Sequence, residues 1–194
     1  PGDVARLSAS SCALLVHWWV ENLSSEFSYP FEAFAPPLSA SHVYTDASRT
    51  GFGAVTDSPD RLFAGVWTAS DDTLPHINTL EFGVVVAALE TWPELLRARH
   101  VTVLHVDNTS AIAWTRRLRT PAGLPFDLAL RLAALLLHTG GQLDVRYINT
   151  HANTRADLAS RDVCAALQAL PSHVRHPPPL WLPSFSLPPR PWKL

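Results

Sequence analysis

The chain contains no methionine and only two cysteines, Cys12 and Cys164. They lie far apart with no Cys-x-x-Cys or Cys/His spacing, which argues against a disulfide framework and a structural zinc site and predicts a reducing, intracellular setting. Long apolar runs are also missing. Nothing approaches the roughly 18 uninterrupted residues of a bilayer-spanning helix, and the stretch 13–20 is broken by His17 and lacks a small-residue cleavage site, so neither membrane insertion nor secretion is expected. Charge is scarce as well: Asp, Glu, Lys and Arg make up 16% of the 194 residues, against about 25% in an average soluble domain. The formal net charge is -2, and no basic tail advertises nucleic acid. With Pro1 at its start and no methionine, the chain reads as a fragment of a longer polypeptide.

What is present is a 47% hydrophobic composition, enough for one domain with a sizeable core. Residues 8–23 carry Cys12, Leu15, Val16, Trp19 and Leu23 at helical spacing, which predicts a docking helix. The aromatic pair Trp18-Trp19 suits either a partner surface or packing on its own domain. Residues 24–41 are Pro- and Ser-containing and aperiodic, as in a connector. From residue 171 onward, eight of the 24 residues are proline, a composition that favours extended polyproline conformation over a core. The expected organisation is therefore an N-terminal helix and connector over 1–40, a compact domain over 41–170 and a proline-rich tail or linker over 171–194.

Within the compact part, hydrophobic periodicity predicts strands over 42–46, 52–56 and 61–67, with Gly51 and Gly53 relieving strain at the bend between the first two. A long helix follows over 78–96, then a buried strand over 101–106, helices over 110–118 and 126–138, a last strand over 144–148 and a final helix over 155–170. The order strand, strand, strand, helix, strand, helix, helix, strand, helix predicts an α/β fold with a five-stranded mixed sheet and helices packed on it. Four acids then stand out: Asp46 and Asp107 at strand ends, Glu81 and Asp157 in the first turns of helices. Each has a local explanation. Asp46 precedes a Gly-containing turn, Glu81 follows Asn78 at capping-box spacing, and Asp107 could cap the next helix. All four converging on one spot would repel one another unless divalent metal intervened, and oxygen-only ligands favour Mg²⁺ or Mn²⁺ over zinc.

The segments Thr45-Asp46-Ala47-Ser48 with Gly51-Phe52-Gly53-Ala54, His76-Ile77-Asn78-Thr79-Leu80-Glu81, Val106-Asp107-Asn108-Thr109-Ser110-Ala111 and Asn153-Thr154-Arg155-Ala156-Asp157-Leu158-Ala159-Ser160-Arg161 occur in that order. Together they resemble the ribonuclease H domain of retroelement reverse transcriptases, most closely the gypsy and DIRS-type branch and more distantly hepadnaviral polymerases. The resemblance implies a ribonuclease H-like fold over residues 41–161 and endonucleolytic hydrolysis of the RNA strand of RNA/DNA hybrids by two Mg²⁺ ions, with Mn²⁺ able to substitute. It implies that Asp46 bridges both ions, that Asp157 helps hold the one carrying the attacking water, and that Glu81 and Asp107 hold the other. His151 falls where related domains carry a histidine assisting product release, on a loop shorter than in cellular and retroviral members. Ser48, Asn78, Asn108, Arg116 and Arg117 are the candidate substrate contacts. The implied partners are an RNA/DNA hybrid and a polymerase domain in the same polypeptide, in the cytoplasm or nucleus. Two other nuclease readings fit less well. A four-acid exonuclease would need Asp-x-Glu where the chain has Asp46-Ala47-Ser48, and an integrase or transposase would need glutamate where it has Asp157. The remaining alternative is a domain of the same fold that has lost catalysis and serves as a scaffold within a larger polymerase.

Overall fold

In the computed structural model, residues 37, 39–57, 60–68, 73–97, 99–170, 173–177 and 179 are described. The expected helix over 8–23 with Trp18-Trp19, the connector over 24–36 and the tail beyond residue 179 lie outside them. Six strands form one mixed sheet: β1 (Ser39–Ala47), β2 (Gly51–Asp57), β3 (Asp60–Val66), β4 (His100–Val106), β5 (Gln142–Tyr147) and β6 (Val174–Arg175). Their spatial order is β5-β4-β1-β2-β3-β6. The first three strands are antiparallel neighbours, while β4 joins β1 in parallel and β5 joins β4 in parallel. This is the mixed sheet that the element order predicts, with six strands where five are expected. The addition is β6, two residues pairing in parallel with the β3 edge at Arg61 and Leu62.

Alternation along the strands divides the sheet into two faces. Val43, Ala47, Phe52, Ala54 and Phe63 belong to the larger core, with α1 (Ile77–Thr91), α2 (Thr109–Arg117) and α3 (Leu124–Thr139). On the other face Val55 and Leu62 pack with Ala159 of α4 (Thr154–Arg161) and Ala166 of α5 (Val163–Ala169). Every residue of α1 from Thr79 to Leu89 is buried, because the helix lies between the sheet on one side and α2 and α3 on the other. Leu80, Val84, Ala87 and Ala88 are buried as the periodicity predicts, and so is the opposite side of the helix. A bidentate ion pair ties α1 to α3: Arg131 donates from Nε and Nη2 to the Glu90 carboxylate at 2.9 and 2.8 Å. Both side chains are nearly buried, so removing one partner would leave an uncompensated charge in the core.

Three expectations are corrected, two of them helix boundaries. The helix expected to reach residue 96 stops at Thr91. Pro93 lacks an N–H and restricts its predecessor, Trp92 leaves helical geometry at φ -126° and ψ 58°, and a single 3-10 turn over Pro93–Leu95 follows. The helix expected over 155–170 breaks at Asp162, which is extended (φ -141°, ψ 89°) and accepts a hydrogen bond from the Ala165 N–H at 2.9 Å, capping α5. Aspartate is a favoured cap, so the residue that interrupts one helix starts the next.

The third correction concerns Gly51 and Gly53. Neither adopts a positive φ, which among described glycines occurs at Gly123 and Gly140. What they supply is space. A Cβ built on Gly53 would lie 2.4 Å from the Ala159 Cβ, and one on Gly51 would lie 2.4 Å from the Gly65 carbonyl oxygen and 2.8 Å from that of Ser160. The two glycines form a floor on which α4 sits closer to β2 than any side chain would allow. Gly53→Ala is accordingly expected to destabilise the chain by about 1–3 kcal/mol, the usual cost of overpacking. Urea or thermal unfolding would register this as a lower midpoint; an unchanged midpoint would contradict the close-approach explanation.

Candidate metal centre

Strand β1 delivers Asp46 as its penultimate residue, on the face where α4 lies, since Asp46 pairs with Gly53 across the β1–β2 ladder. The side chain is 3% exposed. Glu81 arrives from α1 on the other side of the sheet and is also buried, accepting a hydrogen bond from the Ala47 N–H at the end of β1. Helix α1 begins at Ile77, so Glu81 is its fifth residue and stands beyond the first turn where it was expected. Asp107 follows the last residue of β4. One carboxylate oxygen from each of Asp46, Glu81 and Asp107 lies within 4.8 Å of the others. Among the described residues, this trio is the cluster of acids, histidines or cysteines able to hold a metal ion.

The local explanations for two of these acids do not survive. Helix α1 is capped by His76, whose side chain accepts from the Asn78 N–H, so Asn78 and Glu81 form no capping box. Helix α2 is capped by Asn108, whose Oδ1 accepts from the Ser110 and Ala111 N–H groups at 3.0 Å each. Asp107 is thus free of the capping role. Asn108 also donates from Nδ2 to Asn78 Oδ1 at 3.0 Å, and Asn78 donates from Nδ2 to Ser110 Oγ at 3.1 Å. This relay joins the starts of α1 and α2, the two elements beside Glu81 and Asp107, and engages the amide groups of both candidate contacts.

Asp157 occupies the first turn of α4 as expected but stands outside the trio. Its Oδ1 accepts from Arg161 Nε at 2.7 Å, an i,i+4 ion pair on a half-exposed part of the helix. Its charge still reaches the centre, contributing to the raised pKa of Asp46. The remaining expected contacts are spread out. Ser48 is committed to its turn, its Oγ accepting from the Thr50 and Gly51 N–H groups and donating to the Ser160 carbonyl at 2.8 Å. Arg116 donates from Nε to the Val145 carbonyl at 3.1 Å, bracing α2 against β5. Arg117 is exposed in the last turn of α2. His151 is exposed on the 3-10 turn Thr150–Ala152.

Four residues given no individual role in the sequence reading support the acids. Thr150 donates its hydroxyl to Asp107 Oδ2 at 2.7 Å. Asn153, 1% exposed, donates from Nδ2 to the Thr45 carbonyl at 3.0 Å, anchoring the loop before α4 to β1 next to Asp46. Ser160 donates its hydroxyl to Asp46 Oδ2, and Arg161 holds Asp157. Three of them, Asn153, Ser160 and Arg161, belong to the motif quoted around Asp157. The available signal was helical spacing: Ser160 and Arg161 lie three and four residues after Asp157, on the same side of α4.

Burial pushes the Asp46 carboxyl up to about 7, opposed by the Ser160 hydroxyl and reinforced by the charges of Asp107 and Asp157. Burial likewise raises Glu81 well above the usual carboxylate range, with Asp46 and Asp107 adding to the effect and the Ala47 N–H and Arg161 opposing it. The Glu81 Oε2 atom is buried without a hydrogen-bond partner. A buried carboxylate with an orphaned oxygen, clustered with two other carboxylates, is the donor set expected of a hard divalent cation such as Mg²⁺ or Mn²⁺, so the residues fit such an ion.

A raised carboxyl pKa means that the folded chain holds its proton where the unfolded chain, at about 3.8, has lost it. This contribution is complete below the unfolded value and is lost as pH rises through about 7, amounting for Asp46 to roughly 4 kcal/mol. In chelator, the melting temperature should fall between pH 5 and pH 8, and Asp46→Asn should flatten much of that slope. Burial holds His100 and His105 below the usual imidazole value, with the opposite sign, so the difference between parent and variant is the quantity to read. Parallel slopes for the two proteins would contradict the burial of a charged Asp46.

No protein-family model matches the chain, and no curated protein does. Among solved structures it is similar to RNase H1 from the halophilic archaeon Halobacterium salinarum NRC-1, at 19% identity over 67% of this chain and 98% of that one, with a TM-score of 0.49. It is also similar to the N-terminal RNase H domain of Rv2228c from Mycobacterium tuberculosis, at 15% identity over 67% and 97% of the two chains and a TM-score of 0.46. A third similar structure is LC11-RNase H1, isolated from compost, in complex with an RNA/DNA hybrid, at 16% identity over 61% and 92% and a TM-score of 0.49.

Proposed function

We propose that this chain hydrolyses the RNA strand of RNA/DNA hybrids, as the ribonuclease H domain of a retroelement reverse transcriptase. The observation that carries the reading is the convergence of Asp46, Glu81 and Asp107 at the end of β1, with Asp46 and Glu81 buried and the capping explanations for Glu81 and Asp107 removed by His76 and Asn108. A structural acid is normally paired with a cation or a cap, whereas Glu81 has an oxygen with no partner. The ordered motif set supports the retroelement branch.

Asp46, Glu81 and Asp107 would hold one divalent ion, and Asp46 with Asp157 a second. When bound, such a pair supplies activated water near neutral pH and neutralises charge on the scissile phosphate. The protein's own part is positioning. Asn153, Ser160 and the Asn78–Asn108–Ser110 relay fix the three elements that bring the acids together. Substrate selection would rest on groove width and 2′-hydroxyl contacts rather than base readout. With a net charge of -2, the chain has little electrostatic attraction for a backbone whose binding is dominated by charge. Attachment to a preceding polymerase domain would compensate by raising the local substrate concentration.

Incubating the purified chain with a labelled hybrid in Mg²⁺ or Mn²⁺ should release RNA fragments and leave duplex DNA intact, while Asp46→Asn should lower the rate by at least about 10³-fold, on the scale of losing an essential electrostatic group. Cleavage retained in Asp46→Asn would overturn the assignment. A folded parent protein that binds hybrid and metal without cleaving would establish the scaffold alternative instead.

A further inference from the structure

Helix α4 does more than carry the fourth acid. Ser160, 1% exposed, reaches Asp46 directly, its hydroxyl donating to Oδ2. The serine is itself held in place. Its carbonyl accepts from Ser48 Oγ at 2.8 Å, and its backbone nitrogen would lie 3.0 Å from a Cβ on Gly53, so the glycine floor sets how near it comes to β1. We infer that Ser160 is a positioning residue for the metal centre, holding the Asp46 carboxylate in the orientation that presents an oxygen toward Glu81 and Asp107.

The inference rests on reading the three acids as a divalent-metal site, and its physical basis is the freedom of a carboxylate to turn. Asp46 is buried at the strand end and shares its surroundings with two other carboxylates, so repulsion favours rotating it away from them. A hydrogen bond from a fixed hydroxyl opposes that rotation by engaging one oxygen. Thr150 makes the corresponding bond to Asp107 Oδ2, but from an exposed loop. Of these two bonds, the one from Ser160 comes from a side chain buried between helix and sheet. Hydrogen bonds that orient ligating carboxylates characteristically change metal affinity when removed, by about 10- to 100-fold.

The test is Mn²⁺ binding to the full chain, followed by electron paramagnetic resonance, together with the Mg²⁺ dependence of hybrid cleavage. Ser160→Ala should need about 10- to 100-fold more Mn²⁺ for half-saturation, and its cleavage should recover as Mg²⁺ is raised. Ser160→Thr keeps the hydroxyl and should bind like the parent. Ser160→Cys keeps the size but offers a weak donor, so it should behave like Ser160→Ala and serves if the alanine protein does not fold. Val55→Ala thins the same helix–sheet contact away from the acids; it should lower the melting temperature without changing Mn²⁺ affinity. Parental affinity in both Ser160→Ala and Ser160→Cys would overturn the positioning role while leaving the metal centre standing. A parent chain that binds no Mn²⁺ would overturn the metal centre and this inference with it.

Discussion

Carboxylates dislike one another's company, most of all when water is scarce. Three of them meet within 4.8 Å at the end of β1, two almost wholly buried. Arg161 is the basic group whose field reaches them, and it is committed to Asp157 on the exposed side of α4. Burial first, and the neighbouring carboxylates after it, raise the pKa values of Asp46 and Glu81. A fold tolerates such an arrangement where the rest of the domain holds the groups in place and a ligand relieves the repulsion.

The scaffold meets that requirement from three directions. The sheet interior fixes β1 and β4 side by side in parallel, so that their ends bring Asp46 and Asp107 to the same edge. The buried helix α1, covered on all sides and tied to α3 by the Glu90–Arg131 pair, gives Glu81 a rigid mounting. Helix α4 approaches from the other face, and its height above the sheet is set by the absence of side chains at Gly51 and Gly53. Ser48, Asn153 and Ser160 then link the turn, the loop and the helix around Asp46 with hydrogen bonds rather than charges.

Much of this was legible in the residues. Period-two and period-3.6 patterns located the five main strands and the helices, and the acids stood out because their positions at element ends could be read along the chain. Capping was misjudged because Asn78 with Glu81 matches a spacing rule, whereas the actual cap is decided by which residue leaves helical geometry first, here His76. Pro93 and Asp162 were visible breakers outweighed by apolar periodicity running past them. The purpose of Gly51 and Gly53 could not be read locally, since it is imposed by a helix more than 100 residues away in sequence. Strand β6 was hidden for a similar reason: Val174 and Arg175 pair because β3 offers an open edge, not because two residues have a pattern.

The central claim, that these acids form a divalent-metal centre acting on a hybrid, is tested most directly by anomalous diffraction from crystals grown with Mn²⁺ and a hybrid whose scissile linkage resists hydrolysis. The account predicts anomalous density in contact with Asp46, Glu81 and Asp107, with a second peak shared between Asp46 and Asp157 and both beside the RNA strand. Manganese density elsewhere in the molecule, with the three carboxylates left unliganded at saturating metal, would contradict it.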